Sequence, residues 1–246
     1  MDHSDFVILL TACVNPNGMV LTQLKDSSTR LEQYLSSIHF FLKKVNCKIV
    51  VVENSNFDFS PYFTKEIEEK KIECLHFDGN TYDKFIGKGY GEACIIEYAL
   101  SNSYFIKNTT AIIKITGRFK IDNIRTVVKL CNNKSNTIYT MYSRKVPYVF
   151  KSVLVSAPVG FWKLFVSQKE QINDSKKIYF EHLLYRLSII SSKSGTYRIS
   201  MFKCPVKYNG FSGTSGDKYK NDSFFEWLFK YLYFSIIFKY RGIVIN

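Results

Sequence analysis

Four short apolar runs, each stopping in a polar segment rich in Gly or Asn, restrict this chain more than any other feature. Phe6-Val7-Ile8-Leu9-Leu10-Thr11-Ala12 leads into Asn15-Pro16-Asn17-Gly18, and residues 47–53 lead into Glu53-Asn54-Ser55-Asn56. Residues 72–77 lead into a loop containing Gly87-Lys88-Gly89-Tyr90-Gly91-Glu92, and residues 111–116 into Gly117-Arg118. Runs of this length without polar alternation belong to strands buried on both faces, as in parallel sheets. Between the first two, Asp26 offers an N-cap and Leu31, Tyr34, Leu35, Ile38, Leu42 and Val45 recur at helical spacing. A second helix is expected through residues 93–100. Strands alternating with helices predict an α/β/α sandwich, Rossmann-like, around a mostly parallel central sheet. In such sheets ligands lie beyond the carboxyl ends of the strands, and all four polar segments fall at that end.

The second half is less regular. Residues 137–142 and 148–157 read as strands, 175–191 as a helix, 197–202 as a last strand and 203–221 as a mobile loop. No linker separates independent domains, but charge divides the chain. Residues 1–125 carry 15 Lys/Arg against 15 Asp/Glu, so the whole net charge of +13 sits in residues 126–246, with 19 against 6. A neutral body with a basic partner half suggests contact with something anionic: a phosphate-rich small molecule, nucleic acid or a membrane surface. The acidic start Met1-Asp2-His3-Ser4-Asp5 is unlike a secretory signal, and no uncharged stretch is long enough to span a bilayer, so a cytoplasmic location is expected. The six cysteines are scattered, without the spacing of a zinc site or a disulfide framework, and read as small core residues.

Two segments could carry chemistry. The loop over 87–92 follows a strand and precedes a helix, where backbone N–H groups and Lys88 could hold phosphate. It lacks the P-loop pattern, and a tight turn needing positive φ is the alternative. In Lys114-Ile115-Thr116-Gly117-Arg118, strand alternation predicts Lys114, Thr116 and Arg118 on one side. Such a polar stripe asks for an anionic ligand; the alternative is pairing with Glu53 or Glu92 as scaffold.

Together these motifs, in the order residues 10–19, 52–56, 87–92 and 114–118, resemble those of bacterial glycosyltransferases of capsule and lipopolysaccharide O-antigen gene clusters, a group similar to the GT-A fold class. The resemblance covers roughly residues 5–125; the rest matches in outline. It implies a nucleotide-sugar-binding half over 1–125 and an acceptor-binding half of the same domain over 126–222, while the residues themselves set off a basic, amphipathic aromatic and helical C-terminal segment over 223–246. It places the nucleobase on Thr11, Ala12 and the turn from Asn15 through Asn17 to Gly18. Glu53 and Asn54 would contact base or ribose, and the segment with Lys88, Gly89, Gly91 and Glu92 would close over the nucleotide. Members of the class usually end the fourth strand in Asp-x-Asp, which binds a divalent metal. Here Thr116-Gly117-Arg118 stands in that place, and Asp-x-Asp occurs nowhere in the chain. No cofactor is therefore expected, and Lys88, Lys114 and Arg118 become candidates to neutralise the leaving phosphate directly.

Transfer also needs a general base. By the resemblance this falls on Glu181, with His182 as the alternative or as a phosphate contact; Glu181 could equally be a helix N-terminal carboxylate. Asn173-Asp174-Ser175 reads more simply as a cap. The segment 224–241 is too aromatic for an ordinary surface helix, and its Trp, Tyr and Lys residues suit a membrane interface. The alternative is packing on the core or a partner. The expected partners are a nucleotide-sugar donor, a lipid-linked oligosaccharide acceptor and an anionic membrane surface. Nucleic acid is not expected, because the basic residues are spread over more than a hundred positions without a nucleic-acid motif. Two other functions remain open: a sugar nucleotidyltransferase, or a basic binding protein without catalysis.

Overall fold

A computed structural model describes residues 6–19, 24–131, 136–143, 148–210, 218, 220–240 and 243. The elements run β1 (Phe6–Ala12), α1 (Ser27–Lys44), β2 (Ile49–Glu53), α2 (Thr64–Glu68), β3 (Ile72–His76), α3 (Lys88–Asn102), α4 (Tyr104–Lys107) and β4 (Ala111–Thr116). They continue with β5 (Lys120–Ile121), α5 (Ile124–Cys131), β6 (Thr137–Tyr142), β7 (Phe150–Pro158), α6 (Val159–Val166), α7 (Phe180–Lys193), β8 (Arg198–Met201), β9 (Tyr208–Asn209) and α8 (Phe224–Tyr240).

Seven strands form one sheet in the order β3-β2-β1-β4-β7-β6-β8, with β5 and β9 paired apart from it. β1 pairs in parallel with β2 and β4, β2 with β3, and β6 with β8; β7 alone runs against its neighbours. The sheet is thus mostly parallel with helices on both faces, the α/β sandwich expected from the sequence. Every residue of β1 and β2 is buried, which explains their largely apolar character, whereas β3, expected to be buried on both faces, is the edge strand and buries only Ile72, leaving Glu73 and His76 room for solvent. On one face α3, α6 and α7 pack over Val7, Leu9, Val50 and Ile112, centred on Phe161, Trp162 and Phe165. On the other, α1 sets Tyr34, Ile38 and Phe41 against Ile8, Leu10, Val51 and Ile113. The Asp26 cap of α1 is as expected: its carboxylate accepts from Thr29 N at 2.7 Å.

The second half departs from expectation in two places. The helix expected over 175–191 begins only at Phe180, because Asn173 caps a short 3-10 turn, Lys177 takes φ +59° and Asn173 pairs with Ile178. Of the loop expected to be mobile over 203–221, positions 211–217 and 219 lie outside the described residues. Its first part is tied down, since β9 pairs with β5 and Tyr208 N donates to Asn221 Oδ1 at 2.9 Å. Residues 1–5, which carry the acidic start, are also outside the described residues, as are 241, 242 and 244–246 of the aromatic tail. α8 buries Phe234 and Phe238 against Tyr142 and Phe150. No described helix is long and apolar enough to cross a membrane. The six cysteines are free and half-buried rather than full members of the core.

Candidate functional site

In a parallel sheet the crevice forms where the strand order reverses, and in β3-β2-β1-β4 the chain steps outward from β1 to β3 before crossing back to β4. Here that place lies between β1 and β4, whose ends are level, Thr11 opposite Thr116. A cavity of about 210 Å³ opens there. Of the expected site residues, Thr11, Ala12, Asn54, Lys88, Gly89, Gly91, Glu92, Thr116, Arg118 and Glu181 line it.

The floor is one hydrogen-bonded network. Lys114 is fully buried and forms an ion pair with Glu92 of α3. The same Glu92 oxygen accepts from Thr11 Oγ1 at 2.9 Å and Thr116 Oγ1 at 3.2 Å. Lys114 Nζ donates to Thr116 Oγ1 at 3.2 Å and to the Ser152 carbonyl at 2.8 Å, and lies 5.3 Å from the centre of the Phe180 ring. The Ser152 hydroxyl in turn donates to Glu181 Oε1 at 2.5 Å. A buried ammonium needs such partners; here the scaffold alternative holds for Lys114, with Glu92 as its counter-ion.

Arg118 does not follow the strand alternation. β4 ends at Thr116, Gly117 N turns back to donate to Thr11 O at 2.9 Å, and Arg118 swings toward α1, where it donates to Gln33 Oε1 at 3.1 Å. Lys114 and Thr116 therefore face α3 while Arg118 faces the opposite side of the sheet. Among the described residues, two cavity side chains hold buried polar atoms without a hydrogen-bond partner: Arg118 Nε, a donor, and Asn54 Oδ1, an acceptor. Leaving such a group unpaired costs about 1–3 kcal/mol.

Several expected residues stand outside the cavity lining. Glu53 is fully buried and accepts from Val14 N, Ser55 N and Phe57 N, each at 2.8 Å, so it fastens the loops after β1 and β2. Asn15 and Asn17 build the expected turn: Asn15 Oδ1 accepts from Asn17 N at 3.1 Å, Met19 N donates to Pro16 O at 3.0 Å, and Asn17 and Gly18 have φ of 43° and 77°. Pro16 and Met19 of that turn reach the cavity instead. His182 caps α7, its Nδ1 accepting from Tyr179 N at 3.1 Å and its ring stacked on Tyr179.

Asp174 is the residue that sequence reasoning missed. It is 5% exposed and lines the cavity, with its carboxylate against the start of α3, where Gly89 N donates at 3.4 Å. Gly87 has φ +98°, and a Cβ on it would overlap that carboxylate. The glycines of the 87–92 loop thus admit an internal anion at the helix N-terminus. Burial pushes the Asp174 carboxyl above its usual range and the charge of Glu181 adds to the rise, while the Gly89 N–H and Lys88 oppose it. Arg30 and Tyr34 of α1 also line the cavity; Arg30 Nε donates to Cys13 O at 2.8 Å, and the Tyr34 hydroxyl accepts from Cys13 N at 2.9 Å. Burial raises the Cys13 thiol to about 11, so it is no thiolate nucleophile at neutral pH. Among the described residues no cluster of three or more His, Cys, Asp or Glu is placed to hold a metal ion.

No family model matches the chain, and no curated protein matches it. Among solved structures, the chain is similar to a protein from Desulfovibrio desulfuricans G20, provisionally assigned as a nucleotide-diphospho-sugar transferase. The match covers 80% of this chain and 79% of that one, at 8% identity and a TM-score of 0.43.

Proposed function

We infer that this chain is a GT-A-like glycosyltransferase that moves a sugar from a nucleotide-activated donor to a saccharide acceptor. The observation that carries this reading is the pair of buried, unpartnered groups, Arg118 Nε and Asn54 Oδ1, in one cavity at the switch point of the sheet. A nucleotide answers both, offering a base N–H or ribose hydroxyl to Asn54 and an anionic oxygen to Arg118. Of the three cations expected on phosphate, Lys88 and Arg118 line the cavity, while Lys114 is committed to Glu92 and the Ser152 carbonyl. Lys114 therefore fixes the floor, and through Ser152 it helps hold Glu181.

In the proposed reaction Glu181 takes the proton of the acceptor hydroxyl as its oxygen attacks the anomeric carbon. The nucleotide leaves with the electron pair of the broken C–O bond, its charge met by Arg118 and Lys88. Transfer without a metal is part of the proposal. Glu92 and Asp174 already have protein partners in Lys114 and the Gly89 N–H, and the cavity cations offer the charge a leaving phosphate needs. A donor carrying a cytidine monophosphate would suit such a site. The acceptor is proposed to be lipid-linked, in capsule or O-antigen assembly at the inner face of the plasma membrane, as the sequence resemblance implies.

A thermal-shift panel of nucleoside mono- and diphosphates, each with Mn²⁺ and with chelator, tests the reading. At least one nucleotide should raise the melting temperature in the presence of chelator. Arg118→Ala should shrink that shift, whereas Glu181→Gln should keep it and abolish sugar transfer. A flat panel removes the transferase reading; a shift that appears only with Mn²⁺ removes metal independence.

A further inference from the structure

The outward face of α8 is apolar along its whole length. Phe225, Phe229, Leu232, Ile236 and Tyr240 are 79%, 53%, 51%, 66% and 91% exposed. Their spacing of three and four residues puts them within an arc of about 80° on a helix. That arc lies opposite Phe234 and Phe238, whose rings stack at 4.1 Å in the core. A helix that already buries one apolar face has no internal use for a second one.

We propose that this stripe lies in the plane of an anionic lipid bilayer, anchoring the protein as a peripheral membrane protein. Charge selects this occupant. Exposed Lys203, Lys207, Lys218 and Lys220 belong to the segments leading into α8, and Lys239 is exposed at its far end. The Trp227 indole donates to Phe202 O at 3.1 Å and Asn221 accepts from Tyr208 N, which holds Lys203 and Lys207 beside the first turn of α8. Of the two acids at this end of α8, Asp222 is paired with Lys230 at 2.6 Å and Glu226 accepts from Ser223 N at 2.8 Å, so the lysines outnumber them. Lysines around an apolar stripe match anionic headgroups above acyl chains. A second copy docked through the same stripe would bring two such clusters together, against their charge. The helix lies flat rather than across the bilayer, because its 17 residues reach only about 25 Å and its other face is held by the core.

This assignment does not depend on the transferase reading, since vesicle binding is measured with neither donor nor acceptor. The full chain is co-sedimented at low salt with phosphatidylcholine vesicles and with vesicles enriched in phosphatidylglycerol. The wild type should pellet with the anionic vesicles. The triple variant Phe225→Ser/Phe229→Ser/Ile236→Ser, checked for an unchanged melting temperature, should bind at least about tenfold more weakly. Lys203→Gln/Lys220→Gln/Lys239→Gln should lose the preference for anionic over neutral vesicles. The proposal is overturned if the wild type stays in the supernatant or the triple variant binds equally well. It is also overturned if light scattering finds a dimer that this triple variant dissolves without any change in vesicle binding.

Discussion

Asp174 shows how one carboxylate can serve the fold and burden it together. It fills the start of α3, where Gly89 N–H meets it, but it does so 95% buried and close to Glu181. Its folded pKa is raised above the ordinary carboxylate value, mainly by burial, so the folded state holds the proton more tightly than the unfolded chain does. Stability from this group is therefore full below the ordinary value of 3.8 and is lost as pH rises through the raised folded value. Asp174→Asn keeps an oxygen to accept from Gly89 and removes the titration. The melting temperature of the variant should gain on the wild type as pH moves from strongly acidic to neutral. Other carboxylates titrate in both proteins and largely cancel, so a difference independent of pH, or one growing toward acid, would contradict the assignment.

At the scale of elements, the turn into α3 is the most constrained joint beside the cavity. Gly87 has φ 98° and ψ 174°, a conformation essentially reserved for glycine, and its open side is taken by Asp174. Gly18 also has positive φ, at 77°, but a Cβ there meets nothing within 4 Å. Gly18→Ala should therefore cost only the backbone penalty, about 1 kcal/mol. Gly87→Ala adds overlap with a buried carboxylate and should cost about 3 kcal/mol or more. Urea denaturation of the two variants measures this, and equal losses would refute the contact. The same joint shows what the sequence could and could not reveal. The strand at Phe6–Ala12 was legible because burial on both faces leaves an apolar run, and Ala111–Thr116 because only Lys114 interrupts its apolar residues before the closing Thr116. The polar stripe on β4 was legible too, but the choice between Glu53 and Glu92 as partner depends on which face of the sheet α3 covers. Asn173-Asp174-Ser175 reads as a local cap because its local signal is a cap, and Asn173 does accept from Lys176 N at 3.1 Å. The role of Asp174 depends on residues more than eighty positions earlier, and no local pattern announces it. Arg30 and Tyr34 were hidden in another way: their spacing fits the core face of α1, and only the end of β1 turns them toward a cavity.

Over the whole molecule, one core continues across both halves of the charge division and into the aromatic tail. Phe234 and Phe238 complete the cluster that contains Trp162, Leu184 and Val50, so α8 belongs to the cooperative unit even though its outer face is largely exposed. The two faces should consequently differ sharply in what they contribute to stability. Phe234→Ala removes a side chain that is 2% exposed and meets both Tyr142 and Phe150, and should cost about 3–5 kcal/mol in chemical denaturation. Phe225→Ala, at 79% exposed, should stay within about 0.5 kcal/mol, though it belongs to the stripe assigned to lipid. If both variants unfold like the wild type, α8 does not pack on the core as described, and the helix is free to choose either face for a partner. If Phe234→Ala alone is destabilised, the orientation of the helix is fixed by the fold. The apolar stripe then points outward because the core leaves it no other direction, and lipid binding needs no rearrangement of the rest of the chain.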